Sequence, residues 1–131
     1  MLFRSCIVNQ REVGTDTKSF QSALKYALRE DPDVVLVGEM RDLETIQAGL
    51  TIAETGHLAL ATLHANNSYH AMNRIISFYP LENRPTLLLD MSAALQAIIS
   101  QRLVRTKTGA RRAAVEVLLK DRKSTRLNSS H

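Results

Sequence analysis

At 131 residues, with 44% hydrophobic and 5% aromatic side chains, the chain can enclose one ordinary core but not two. Its net charge of +4 falls to +2 when Asp121 to His131 is set aside, because that stretch carries Arg122, Lys123 and Arg126 against Asp121; charge alone therefore gives no argument for nucleic acid. A single cysteine, Cys6, excludes an internal disulfide, and no apolar run reaches the roughly 18 residues of a spanning helix, so a soluble, cytoplasmic product is expected.

Ser5 to Val13 mixes β-branched and polar residues and is expected to form a short strand before the turn Gly14-Thr15-Asp16-Thr17. From Ser19, the residues Phe20, Ala23, Leu24, Ala27 and Leu28 recur at helical spacing and predict an amphipathic helix that ends at Asp31-Pro32. Val34 to Val37 suit a strand buried on both faces, which delivers Gly38, Glu39 and Arg41 at its carboxyl end. Asp42 is placed to cap a second helix, with Leu43, Ile46, Leu50 and Ala53 on one side and Gly56 at a left-handed C-cap. Leu58 to Leu63 is a second buried-type strand ending at His64. Strand, helix, strand at these lengths is a βαβ unit with parallel strands, which brings Glu39 and His64 to one edge. Asn66-Asn67-Ser68 reads as loop and cap for a helix carrying Met72, Ile75, Ile76 and Tyr79, stopped by Pro80. Pro85 opens another helix, in which Leu88, Met91, Leu95, Ile98 and Ile99 share a face. Leu103 to Thr106 and Ala113 to Leu119 predict a hairpin closed at Lys107-Thr108-Gly109-Ala110. Asp121 to His131 lacks apolar periodicity and is spelled like the translation of a sequencing-library adapter. It is expected to be non-native, leaving one domain over 1–120.

In open α/β sheets, ligands bind at the carboxyl ends of the strands. Glu39 is the leading candidate there, since an aliphatic strand ending in an acid is how phosphate-handling ATPases place a carboxylate near Mg²⁺ and the attacking water. The alternative is a plain ion pair between Glu39 and Arg41. His64 is placed to donate to a terminal phosphate or to Glu39, although a histidine after a strand is more often only a loop residue. His57 at the helix-to-strand turn is weaker, capping being the alternative, and His70 reads as surface. Arg41, Arg11 and Arg29 are candidates to neutralise phosphoryl charge, but most arginines on amphipathic helices simply face solvent. None of Gly14, Gly38, Gly49, Gly56 and Gly109 falls in G-x-x-x-x-G-K-[ST], and no His/Cys cluster offers a metal site.

Asn9-Gln10-Arg11-Glu12-Val13-Gly14, Ala27 to Asp33, Val37-Gly38-Glu39-Met40-Arg41-Asp42-Leu43-Glu44-Thr45, Ala53-Glu54-Thr55-Gly56-His57-Leu58, Ala61-Thr62-Leu63-His64-Ala65-Asn66-Asn67 and Ser100-Gln101-Arg102-Leu103-Val104 together resemble the second half of the type II/IV secretion-system ATPase family. Within it they are most similar to pilus retraction ATPases of the PilT/PilU type, with Ala65-Asn66-Asn67 leaning to the PilU branch. The resemblance covers residues 5–119 and implies the distal half of an α/β, RecA-like P-loop NTPase core, parallel strands with flanking helices, followed by helices and a β-hairpin. It implies ATP and Mg²⁺ as cofactors and a homo-hexamer powering pilus retraction. The implied partners are an inner-membrane pilus platform protein and a paralogous retraction ATPase, at the inner face of the bacterial cytoplasmic membrane, with no nucleic acid. By motif it makes Gly38-Glu39 the Walker B segment with Glu39 near Mg²⁺, Arg41 the Walker B arginine, and His57 and His64 the histidine box, with Gly38 and His57 on the cofactor. The family's phosphate loop and second catalytic glutamate have no counterpart here, so the chain is expected to be a fragment that by itself neither binds ATP tightly nor hydrolyses it. Secretion and extension ATPases usually carry a four-cysteine zinc module after the segment matching Gln101 to Val104; Arg105 to Leu119 has no cysteine, which favours the retraction type. A non-hydrolysing regulatory subunit is the rival from another class. A nucleic-acid module would need a basic stripe or stacking aromatics that are missing.

Overall fold

The turn Asp31-Pro32-Asp33 separates the first helix from the first strand, and Asp31 adopts φ 50°, a left-handed conformation that short polar side chains tolerate. Around it the computed structural model, which describes residues 6–121, runs α1 (Phe20–Arg29), β1 (Val34–Glu39), α2 (Leu43–Glu54), β2 (Leu58–Thr62), α3 (Ser68–Ser77), α4 (Arg84–Ala94), β3 (Ala97–Arg105) and β4 (Arg111–Leu119). A 3₁₀ turn, Leu81–Asn83, leads into α4.

The helix boundaries have local causes. Ser19 Oγ accepts from the Ser22 amide at the start of α1, and Asn67 Oδ1 accepts from the His70 amide at the start of α3. Asp42 and Thr45 form a reciprocal capping box on α2. Gly56 follows that helix at φ 89°, where a side chain would be strained.

β1 and β2 pair in parallel, from Val34 opposite Leu58 to Val37 opposite Ala61, and α2 packs on both strands. Strand alternation buries Val37 against this helix and half-buries Val35 and Ala59. The other face departs from the expectation of burial on both sides. Val34, Leu36, Leu58 and Leu60 are 47–68% exposed, because among the described residues α2 covers one face and no element covers the second.

β3 and β4 form the antiparallel hairpin, from Ala97 opposite Leu119 to Arg105 opposite Arg111, turning through Gly109 at φ 81°. It is longer than expected, and the reason corrects the preceding helix. Leu95 takes extended dihedrals, so α4 stops at Ala94, and Ile98 and Ile99 pair with Leu118 and Val117 instead of extending the helical stripe. β-Branched side chains with a strand partner outweigh a helical spacing that was available on paper. The expected strand at the amino end is also absent. Residues 6–12 have no regular structure, and Val13 makes only an isolated bridge to Thr17, since Glu12 is engaged in the turn and no partner strand lies beside it. Ser5, and all of the expected non-native tail except Asp121, lie outside the described residues.

The core gathers Ile46 of α2, Ile75 of α3, Tyr79, and Leu87 and Met91 of α4. Met40, Leu43, Leu50, Leu63, Met72, Ile76, Phe78 and Leu95 pack around it. Burial raises the Tyr79 hydroxyl's pKa above its ordinary range, and the nearby Asp90 charge adds to the effect. Helix α2 is enclosed on more than the single side its stripe predicts: Ile52 is 0% exposed and Ala48 is buried, as β1, β2, α1 and α4 all contact it.

Candidate functional site

The carboxyl edge of the parallel pair is shaped by an irregularity. After Val37 opposite Ala61, the next partners are Glu39 and Thr62, so Gly38 is an extra residue in β1. A bulge of this kind re-aims the side chain that follows it. Thr62 Oγ1 donates to the Gly38 carbonyl at 3.2 Å and the Met40 amide donates to the Thr62 carbonyl at 2.9 Å, which fixes the kink. Glu39 consequently reaches the loop beyond β2. Its Oε1 lies 3.2 Å from His64 Nε2, with the two side chains 38% and 80% exposed.

The His64 loop is clamped from the hairpin. Arg102 Nε donates to the Asn66 carbonyl at 2.7 Å, and Glu116 accepts from the amide and hydroxyl of Ser68 at the start of α3. These bonds from Ser68 hold the Glu116 carboxyl below its ordinary range, with Arg102 contributing less. On the other side, Asp42 is held below its ordinary range by its bonds from Thr45.

Glu39 and His64 are thus brought together across two strands, and the plain alternative of a Glu39–Arg41 ion pair is not what forms. Arg41 is exposed beside them, at the entry to α2. Gly38 is the bulge itself. His57 is not brought to this edge: it stands at the amino end of β2, on the order of 20 Å from His64 along an extended chain, with Nδ1 3.0 Å from Thr55 Oγ1. Arg11 pairs with Glu30, and the Arg29 guanidinium lies over Tyr26 at 5.8 Å, so both gather at α1. Beyond His64 opens a cleft of about 560 Å³ that His70 and Arg74 of α3 and Gln101 of β3 help to line. His70 is exposed, as its reading as a surface residue implies, and Gln101 lies in the family-like segment Ser100 to Val104; for Arg74 the available signal was its i, i+4 spacing from His70. Among the described residues no group of three or more His, Cys, Asp or Glu is arranged to hold a metal ion. Nor is any helix among them long and apolar enough to cross a membrane.

A parallel βαβ unit with an acid and a histidine meeting at its carboxyl edge, followed by helices and a hairpin, defines the class: the distal part of a RecA-like α/β NTPase core. The model of the family described as type II/IV secretion system protein matches residues 7–130, and the chain belongs to that family. It is 53% identical over 117 residues to the type IV pilus ATPase PilU of Pseudomonas aeruginosa, covering 88% of this chain and 31% of that protein. With the type IV pilus retraction ATPase PilT of the same organism the identity is 48% over 116 residues, covering 88% and 34% respectively. A crystal structure of the pilus retraction motor PilT with bound ADP superposes with a TM-score of 0.81 at 51% identity, over 92% of this chain and 35% of that one. The chain therefore spans about a third of the length of the curated relatives it matches.

Proposed function

We propose that residues 1–120 are the distal part of the ATPase domain of a pilus retraction motor, and that Glu39 and His64 work on bound nucleotide. The observation that carries this is the 3.2 Å Glu39–His64 approach, at the ligand-binding edge of a parallel strand pair, in a chain about half identical to PilU and PilT. Glu39 is the general base that orients and deprotonates the attacking water. His64 senses or stabilises the terminal phosphate, and Arg41 supplies fixed positive charge nearby. One exposed carboxylate suits Mg²⁺, which is commonly held by one or two carboxylates together with substrate phosphates and water. Glu39 would hold the ion or its water shell, and the ion would neutralise charge on the phosphates.

ADP bound to the solved PilT structure supports a nucleotide ligand, and the tight cysteine-free hairpin from Arg105 to Arg111 supports the retraction branch. The assembly in this reading is a homo-hexamer at the inner face of the bacterial cytoplasmic membrane. There it acts on a pilus platform protein and beside a paralogous ATPase. By itself the 131-residue chain does not turn over ATP, because it contains no G-x-x-x-x-G-K-[ST] phosphate loop.

The test is a chimera that joins residues 7–119 to the amino-terminal part of a pilus ATPase relative. Glu39→Gln is expected to lower ATP turnover by roughly 10² or more while ATP still binds. Turnover unchanged by that substitution would sink the assignment.

A further inference from the structure

We propose that the cleft between the carboxyl end of β2, α3 and β3 is an anion site for a phosphate group. In it, Arg74 supplies the charge, and His70, Gln101 and the outer side of His64 supply further hydrogen-bonding groups. The cleft is an open one of about 560 Å³, and among the described residues no carboxylate lines it. Two acids that contact residues next to the cleft have partners of their own: Glu39 meets His64 Nε2, and Glu116 is engaged by Ser68. The cleft's lining combines Arg74, His64, His70, Asn66 and Gln101 with the apolar Leu63 and Ala65.

The gathering is not explained by bonding within the protein. Among the described residues, the Arg74 guanidinium and the Gln101 amide make no hydrogen bond, and the His70 ring only meets Tyr69 in a tilted contact at 5.8 Å. His70 and Arg74 stand at i and i+4, on one face of α3, so a single anion reaches both. The planar guanidinium fork fits the oxygens of a phosphate in a bidentate way. The amino end of α3 is not the source of the charge. Two of its first three amides are already taken, that of Ser68 by Glu116 and that of His70 by Asn67.

The phosphate reaches this cleft either as part of a nucleotide or as the free product. The origin of the phosphate, but not its binding, rests on the reading of Glu39 and His64 as the hydrolytic edge. Because His64 borders both places, a phosphate released beside Glu39 would pass His64 into this cleft.

Sodium phosphate, and in a second arm ATP, would be titrated into the 131-residue chain at constant ionic strength, following the imidazole carbon-bound proton signals. Saturating shifts of the His70 and His64 signals are expected, with His57 at the far end of β2 unmoved. Arg74→Gln should weaken binding about tenfold or more, as loss of a charged bidentate donor does, while Lys107→Gln at the hairpin tip leaves it unchanged. Saturation by phosphate assigns the free anion; saturation by ATP alone assigns the nucleotide-borne group. Linear drift of all histidines together, or equal behaviour of the two variants, overturns the site.

A second readout uses the chimera. Inhibition of turnover by added phosphate should weaken about tenfold in Arg74→Gln while inhibition by ADP holds, and equal inhibition in both proteins would overturn the site. Loss of turnover in Glu39→Gln without any phosphate binding would leave the proposed function standing and remove only this site.

Discussion

If Glu39 and His64 are kept together for chemistry, their contact should contribute little to the fold, and this is measurable by a double-mutant cycle. The structure bounds the coupling. At 3.2 Å, two unit charges in water attract by about 1.3 kcal/mol. With the side chains 38% and 80% exposed, immobilisation and screening reduce this to about 0.2–1 kcal/mol. The perturbations are Glu39→Gln, His64→Ala and the pair together. The assay is urea unfolding followed by far-ultraviolet circular dichroism. Each single variant is expected to lie within about 1 kcal/mol of the parent and the coupling to fall below about 1 kcal/mol, with the urea dependence unchanged. The same Glu39→Gln substitution that removes turnover from the chimera would thus leave the fold nearly untouched. A coupling above roughly 2 kcal/mol would mean a structural clamp, and the inference from this contact to catalysis would fail.

Two further outcomes concern the scaffold. Leu87 is 1% exposed within the α2–α3–α4 core, and Leu87→Ala should cost about 2–5 kcal/mol, read as a lower urea midpoint at unchanged slope; a loss below about 1 kcal/mol would contradict this packing. Asp42 caps α2 and its carboxyl titrates below the ordinary value, so its contribution is present above the ordinary carboxylate pKa and is lost as pH falls through the lower folded value. Asp42→Ala should therefore cost about 1 kcal/mol at neutral pH and progressively less in acid, and a pH-independent difference would argue against the cap.

Much of this architecture could be read from the chain because the signals are local. Pro32, the aliphatic run Val34 to Val37, the Asp42 cap, Gly56 and the Asn67 cap set element types and ends within a few residues of themselves. A strand-helix-strand unit of that length then puts Glu39 and His64 on one edge with little freedom left. The helix after Pro85 shows where local reading fails. Ile98 and Ile99 fit a helical stripe, and only the presence of Leu118 and Val117 across the hairpin turns them into strand. Leu87, rather than the expected Leu88, is buried in α4 for a related reason, since which side of α4 is buried depends on where α2 lies.

What the sequence determined by itself, then, is the order of elements from α1 onward and the identity of the acid and histidine at the edge, because dihedral preference, capping and strand alternation act over short spans. Only the tertiary structure decided three things: that Gly38 bulges and turns Glu39 toward His64, that His57 stays at the opposite end of β2, and that His70, Arg74 and Gln101 border a common cleft. Each depends on strand register or on the packing of α3 beside the hairpin, which no single stretch of the chain specifies.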